Sequence, residues 1–129
     1  MNGLTDYNNN VILPIMQTRK PLIILSGEIK TPPFSREARM EAGFLLGILQ
    51  RGGRLELPHA RPMPDIGQRC LELRVKDKSA EWRIFCRTDV DAILMIHVLA
   101  KKTRTTPNAI IALCKKRLEA YELGAGGKK

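Results

Sequence analysis

The residues able to do chemistry in this chain are basic groups set close to two proton carriers. Arg74 closes the run Leu71-Glu72-Leu73-Arg74, Arg83 follows Trp82, Lys101 and Lys102 end a long apolar run, and His59 sits in a proline-rich stretch. Arginine offers phosphate a rigid fork of donors and lysine a mobile point charge. Histidine exchanges protons near neutral pH, and a carboxylate such as that of Glu72 is the other ordinary general base. Cys70, Cys86 and Cys114 fall at apolar positions without the close pairing of a zinc site, so reduced core thiols and no metal are expected. The chain shows no cofactor motif either.

These groups need a scaffold, and the stretch from Arg69 to Lys102 supplies one. Three β-rich runs, 70–76, 81–88 and 92–99, are separated by the short polar connections 77–80 and 89–91, which predicts a three-stranded antiparallel meander. Symmetric hairpins would set Arg74 opposite Arg83, Lys76 opposite Glu81, Phe85 opposite Leu94 and Trp82 opposite His97. Side chains alternate along a strand. One face would then carry Leu71, Leu73, Val75, Trp82, Ile84, Cys86, Ile93, Met95, His97 and Leu99, and is read as the core face. The other would carry Glu72, Arg74, Lys76, Arg83, Phe85 and Arg87, then Leu94, Ile96 and Val98, and is read as the working face. Two arginines across a hairpin repel by up to about 1 kcal/mol unless an anion lies between them. A phosphate would fit there; so would pairing with Glu72 or other carboxylates.

The remaining elements follow from capping and periodicity. Leu22-Ile23-Ile24-Leu25 is short enough for a buried strand and would extend the meander to a four-stranded sheet. Thr31-Pro32-Pro33-Phe34 breaks the pattern. Ser35 is a good N-cap with Glu37 in the first turn, and Ala38, Ala42, Leu45, Leu46 and Leu49 form one apolar stripe that Gly52-Gly53 terminates. Gly43 and Gly47 are expected to let this long helix pack tightly on the sheet. The stretch 54–68, with three prolines, is read as a stiff loop that brings His59, Arg61 and Arg69 toward the arginine-bearing strands. Thr106 and Pro107 suit the start of a last helix, whose stripe Ile110, Ile111, Cys114, Leu118 and Tyr121 would cover Leu94, Ile96 and Val98. Lys115, Lys116 and Arg117 would face outward, the helix would stop at Gly124, and Lys101, Lys102 and Arg104 would edge the groove at Arg74 and Arg83.

With 129 residues, one domain is expected: a flexible arm over 1–19, the domain over 20–123 and a flexible tail over 124–129. Met16 is a second candidate start, which would make residues 1–15 an upstream extension. A formal net charge of +9, from 22 Lys and Arg against 13 Asp and Glu, favours a polyanionic partner. Neither a membrane span nor a signal peptide is indicated, so a cytoplasmic protein is expected.

The order of these segments resembles the RelE/ParE toxin superfamily, most closely its HigB-like, phage-derived branch. The resemblance rests on Leu57-Pro58-His59-Ala60-Arg61-Pro62-Met63, Leu71-Glu72-Leu73-Arg74, Trp82-Arg83-Ile84-Phe85-Cys86-Arg87 and Ala100-Lys101-Lys102-Thr103 followed by Pro107, over about residues 20–121. It implies an α+β fold, a four-stranded, mostly antiparallel sheet packed with a long N-terminal helix and a C-terminal helix. It also implies a type II toxin-antitoxin toxin that enters the ribosomal A site and cuts mRNA without a metal, the ribose 2′-hydroxyl attacking the adjacent phosphate. By position, Arg83 would bind the scissile phosphate, Arg74, Lys101 and Lys102 would stabilise transition-state charge, and His59 or Glu72 would be the general base. Arg61, Arg69, Arg87 and Arg104 would contact the RNA. The expected partners are the ribosome, mRNA and a cognate antitoxin, acidic or of helix-turn-helix type, over the basic groove. The chain departs from the pattern in lacking an aromatic near Asn108 to Ile111 and in having Leu99 where relatives carry phenylalanine. Two other classes compete: a ParE-like topoisomerase inhibitor, and a nucleic-acid-binding module built on the basic segment 101–117.

Overall fold

The structure is a computed structural model that describes residues 19–25, 34–78, 80–101 and 106–127, with backbone only at 101 and 125–127. The Thr31-Pro32-Pro33 break, Lys102, Arg104, nearly all of the 1–19 arm and the last two residues of the tail lie outside the described residues. The fold is α+β. Elements run β1 (Leu22–Ile24), α1 (Arg36–Gln50), β2 (Ala60–Pro62), β3 (Cys70–Lys76), β4 (Glu81–Thr88), β5 (Ile93–Lys101) and α2 (Asn108–Gly127). They form one sheet in the order β1-β5-β4-β3-β2, with β1 parallel to β5 and the other pairs antiparallel. No described helix is long and apolar enough to cross a membrane.

Five strands appear where four were expected, because Ala60–Pro62 leaves the proline-rich loop to pair with Leu71–Leu73. Prolines bar a central strand, but β2 is an edge strand, which bonds on one side only. Helix α2 also runs through Gly127, past the expected stop at Gly124.

Helix α1 follows its sequence signals. The Ser35 hydroxyl accepts from the Ala38 amide at 3.0 Å, and Ala38, Ala42, Leu45, Leu46 and Leu49 are buried against the sheet. Gly52 takes a left-handed φ of 87°, and a Cβ on Gly53 would lie 2.7 Å from Ile48 Cγ2, so the Gly-Gly stop is a steric requirement. The glycine pair inside the helix behaves differently from expectation. Gly43 is exposed with open space around it, and Gly47 is covered by the Arg51 side chain, so neither sets the packing on the sheet.

The meander keeps its first hairpin as predicted, with Arg74 opposite Arg83 and Lys76 opposite Glu81. The second is corrected. Beside the turn Thr88 pairs with Ile93, two residues beyond the symmetric expectation, and a further shift of one at Phe85/Cys86 makes Ile96 the extra residue, so Phe85 pairs with His97 and Trp82 with Ala100. Such a bulge leaves one residue unpaired and reverses the alternation beyond it. His97 and Leu99 therefore turn to the working face, while Val98 joins the core on the α1 side. Arg117 stabilises the bulge by donating to the Ile96 carbonyl at 2.9 Å, so it folds onto β5 instead of facing outward as Lys115 and Lys116 do.

Two apolar layers result. On one side α1 packs on Leu73, Val75, Trp82, Ile84, Cys86 and Ile93. On the other, α2 lays Cys114 and Leu118 over Cys70, Phe85, Leu94 and Ile96, with Ile110, Ile111 and Tyr121 half-buried beside them. All three thiols are free and buried; burial pushes Cys86 and Cys114 up to about 12, far from thiolate chemistry.

Asp77, in the first hairpin, ties the sheet to α1. Its carboxylate accepts from the Ser35 amide at 2.9 Å and the Trp82 indole at 3.1 Å, and Phe34 packs edge-on to Trp82 with ring centroids 4.8 Å apart. These bonds, the Ser35 amide first, hold its pKa well below the ordinary 3.8. The stabilisation is complete above that ordinary value and fades as pH falls through the lowered one. Urea unfolding followed by Trp82 fluorescence should show a midpoint that falls with acid below about pH 4. Asp77→Ala should lower the midpoint at pH 7 and flatten that acid dependence.

Candidate functional site

Strand pairing sets the charged groups in rows across the face that α2 covers only in part. Arg61 pairs with Glu72, Glu72 with Phe85 and Phe85 with His97; the next row is Arg74, Arg83 and Leu99, and the one after is Lys76, Glu81 and Lys101. Alternation along β3 and β4 puts Glu72, Arg74 and Arg83 on one side, and β2 adds Arg61 from the edge.

Glu72 is the centre of this arrangement, with no exposed surface. Its Oε1 lies 3.4 Å from Arg83 Nη1, 3.5 Å from Arg74 Nε and 3.9 Å from Arg61 Nε, while Oε2 accepts from the Thr106 hydroxyl at 3.3 Å. Arg83 is nearly as deep, its side chain 7% exposed, and its Nη2 meets Glu81 at 2.7 Å. The repulsion between Arg74 and Arg83 is thus relieved from within, by Glu72 and Glu81. The three contacts to Glu72 are long for charge-assisted bonds, which run about 2.7–2.9 Å. The Nε atoms of Arg61, Arg74 and Arg83 are all buried without a hydrogen-bond partner among the described residues.

Arg74 and Arg61 reach outward, 26% and 39% exposed. Arg74, Lys76, Glu81 and His59 line a cleft of about 400 Å³ with Pro58, Glu37 and Glu41. His59 stands just before β2, 54% exposed, with Nδ1 3.8 Å from the Glu41 carboxylate. The structure therefore brings together Arg61, Glu72, Arg74 and Arg83, and places His59 at the cleft that Arg74 enters. Lys101 joins by register only, and Lys102 and Arg104 lie outside the described residues.

Arg69 and Arg87 belong to a different cluster at the far end of β4. Arg87 grips Asp89 with two bonds of 2.8 and 3.0 Å and reaches Glu122 of α2 at 2.8 Å. Arg69 bonds the Thr88 carbonyl at 3.0 Å and Asp89 at 3.3 Å. Those arginines brace the second hairpin against α2. The resemblance gave both a role with RNA; in the fold Arg87 is paired with Asp89 and Glu122, and Arg69, 54% exposed, with Asp89 and the Thr88 carbonyl.

His97 is the titratable group that sequence reasoning misplaced. The bulge turns it to the arginine face, where it stacks on Phe85 with centroids 6.4 Å apart and its Nδ1 takes a 3.0 Å contact from Arg117. That contact makes Nδ1 the acceptor and leaves the proton on Nε2. No local pattern signals the bulge; an arginine on α2 that meets β5 is visible only after folding.

Comparison with known proteins gives one family match: the profile described as Phage derived protein Gp49-like (DUF891) covers residues 32–119. No curated protein and no solved structure matches the chain.

Burial, then the Arg117 guanidinium, lower the pKa of His97 below its ordinary 6.5. A lowered value means that neutral His97 favours the fold above that pH and that this contribution is lost as pH falls through the folded value. In Arg117→Met the NMR titration of the His97 imidazole should move up toward the ordinary value.

Proposed function

The chain belongs to the Gp49-like family of phage-derived proteins, type II toxin-antitoxin toxins related to the RelE-like toxins, and we propose that it is a ribosome-dependent mRNA endoribonuclease. The observation that carries this reading is the convergence of Arg61, Arg74 and Arg83 on Glu72, with Arg74 entering the cleft that His59 also lines. In the reaction, the ribose 2′-oxygen attacks the adjacent phosphorus and the bond to the 5′-oxygen breaks. The products are a 2′,3′-cyclic phosphate and a 5′-hydroxyl. Neutral His59 takes the 2′-proton and, as imidazolium, returns it to the departing oxygen. Arg74 reaches the phosphate from the cleft and Arg61 from the edge strand β2, and Arg83 holds charge behind them. Lys101, at the end of β5, and Lys102, next to it in the sequence, have the role of adding positive charge. The burial of Glu72 among arginines favours His59 for the proton and gives Glu72 the task of setting the arginines in place. The net charge of +9 suits a ribosomal RNA surface. Membership of the family implies an antitoxin partner; an acidic or helix-turn-helix antitoxin over the basic groove is the proposed form.

Mapping mRNA 5′ ends in a purified translation system tests this. Wild type should create new ends only when ribosomes are present. Arg74→Ala, which removes one positioned donor, should cut the rate by about 100- to 1,000-fold. Folded wild-type protein that leaves mRNA intact would overturn the reading, and accompanying arrest of a topoisomerase would favour the ParE-like alternative.

A further inference from the structure

The arginine cluster is under-bonded in a specific way. Three guanidinium groups converge on one carboxylate oxygen, at 3.4, 3.5 and 3.9 Å, while elsewhere in the same protein Arg83 meets Glu81 at 2.7 Å and Arg87 meets Asp89 at 2.8 Å. A carboxylate oxygen has two lone pairs and cannot serve three forks at short range. The buried Nε atoms of Arg61, Arg74 and Arg83 show what is missing, each making no hydrogen bond among the described residues. Leaving a buried charged donor without an acceptor is costly. A tetrahedral phosphate carries several acceptor oxygens and matches the arginine fork geometry.

We propose that Glu72 is the resting occupant of a three-arginine phosphate site, a built-in carboxylate that an incoming RNA phosphate displaces from Arg61 and Arg74. This deepens the nuclease reading and rests on it for the identity of the phosphate, although the site itself is defined by the geometry alone. Arg61 and Arg74 are the two arms exposed enough to exchange partners, and Arg83, pinned between Glu72 and Glu81, is the fixed wall. Glu72 is a positioning residue. It keeps three like charges together in the free protein, at the cost of competing with the substrate for them. Free phosphate therefore binds only weakly to the wild type, and a phosphodiester already aligned by other contacts wins the exchange.

The test titrates the full-length protein with inorganic phosphate at constant ionic strength, using calorimetry and thermal melts, with no RNA and no ribosome. Glu72→Gln removes the competing charge but keeps the shape. It should bind phosphate about tenfold or more tighter than wild type. Its melting temperature should be lower than wild type in chloride and rise more steeply with phosphate. Equal or weaker binding by Glu72→Gln would overturn the proposal, since Glu72 would then be only an anchor for the arginines. Should Glu72→Gln fail to fold, Arg61→Gln decides: its phosphate affinity should fall about tenfold, and unchanged affinity would remove Arg61 from the site and sink the exchange. Cleavage of mRNA is scored separately. Exchange without cleavage leaves the site standing and fails the nuclease reading; cleavage with no gain in phosphate affinity fails the exchange alone.

Discussion

A carboxylate with no exposed surface, Glu72, allows three arginines to share one end of a small sheet, and the working half of the molecule depends on it. Without a buried negative charge, Arg74 and Arg83 would face each other across the hairpin with Arg61 close by, and like charges directly opposite weaken a strand pair. With it, the strands pair in full register from Cys70 to Lys76. Placing a charge so deep is unfavourable unless it is well paired. Here the contacts from Arg61, Arg74 and Arg83 are numerous but long, and their Nε atoms make no hydrogen bond among the described residues. A site built this way is organised before its ligand arrives and still has donors to offer.

The two helices divide the work. α1 is anchored by polar bonds at its start, through Ser35 and Asp77, and by a steric stop at Gly52-Gly53, so the α1 side of the sheet becomes an apolar layer closed to solvent. α2 is anchored by cations and carboxylates, with Arg117 on the β5 bulge and Glu122 on Arg87. It covers only the apolar part of its face, Cys70, Phe85, Leu94 and Ile96. The rows beyond, from Arg74 to Lys76, remain beside a cleft. Half of one sheet face is therefore core and half is charged, and the boundary runs through Phe85, buried between Glu72 and His97.

The basic residues divide in the same manner. Arg69 and Arg87 satisfy Asp89, Glu122 and the Thr88 carbonyl, and so brace the fold. Arg61 and Arg74 turn instead to Glu72, and Arg74 also lines the cleft that holds His59. Composition treats these four arginines alike; their partners separate them.

Local rules determined much of the protein from its sequence. The period-2 runs of β3 and β4 and the polar connection at 77–80 set Arg74 against Arg83, Ser35 and Gly52-Gly53 bounded α1, and the Cys114 and Leu118 stripe sent α2 to the sheet; each involves residues a few positions apart. The tertiary structure decided what distant partners control. Ala60–Pro62 became a strand only because β3 offered an edge, and that edge strand brings Arg61 over Glu72. The bulge at Ile96 turned His97 and Leu99 to the arginine face and Val98 away from it, held by Arg117 from 21 residues downstream. The burial of Glu72, which reads in the sequence as one more exposed carboxylate of a polar strand face, follows from three arginines and Thr106 closing around it. Periodicity reports which way a side chain leaves its own strand; whether it ends in solvent, in the core or inside an ion cluster depends on elements folded over it from elsewhere in the chain.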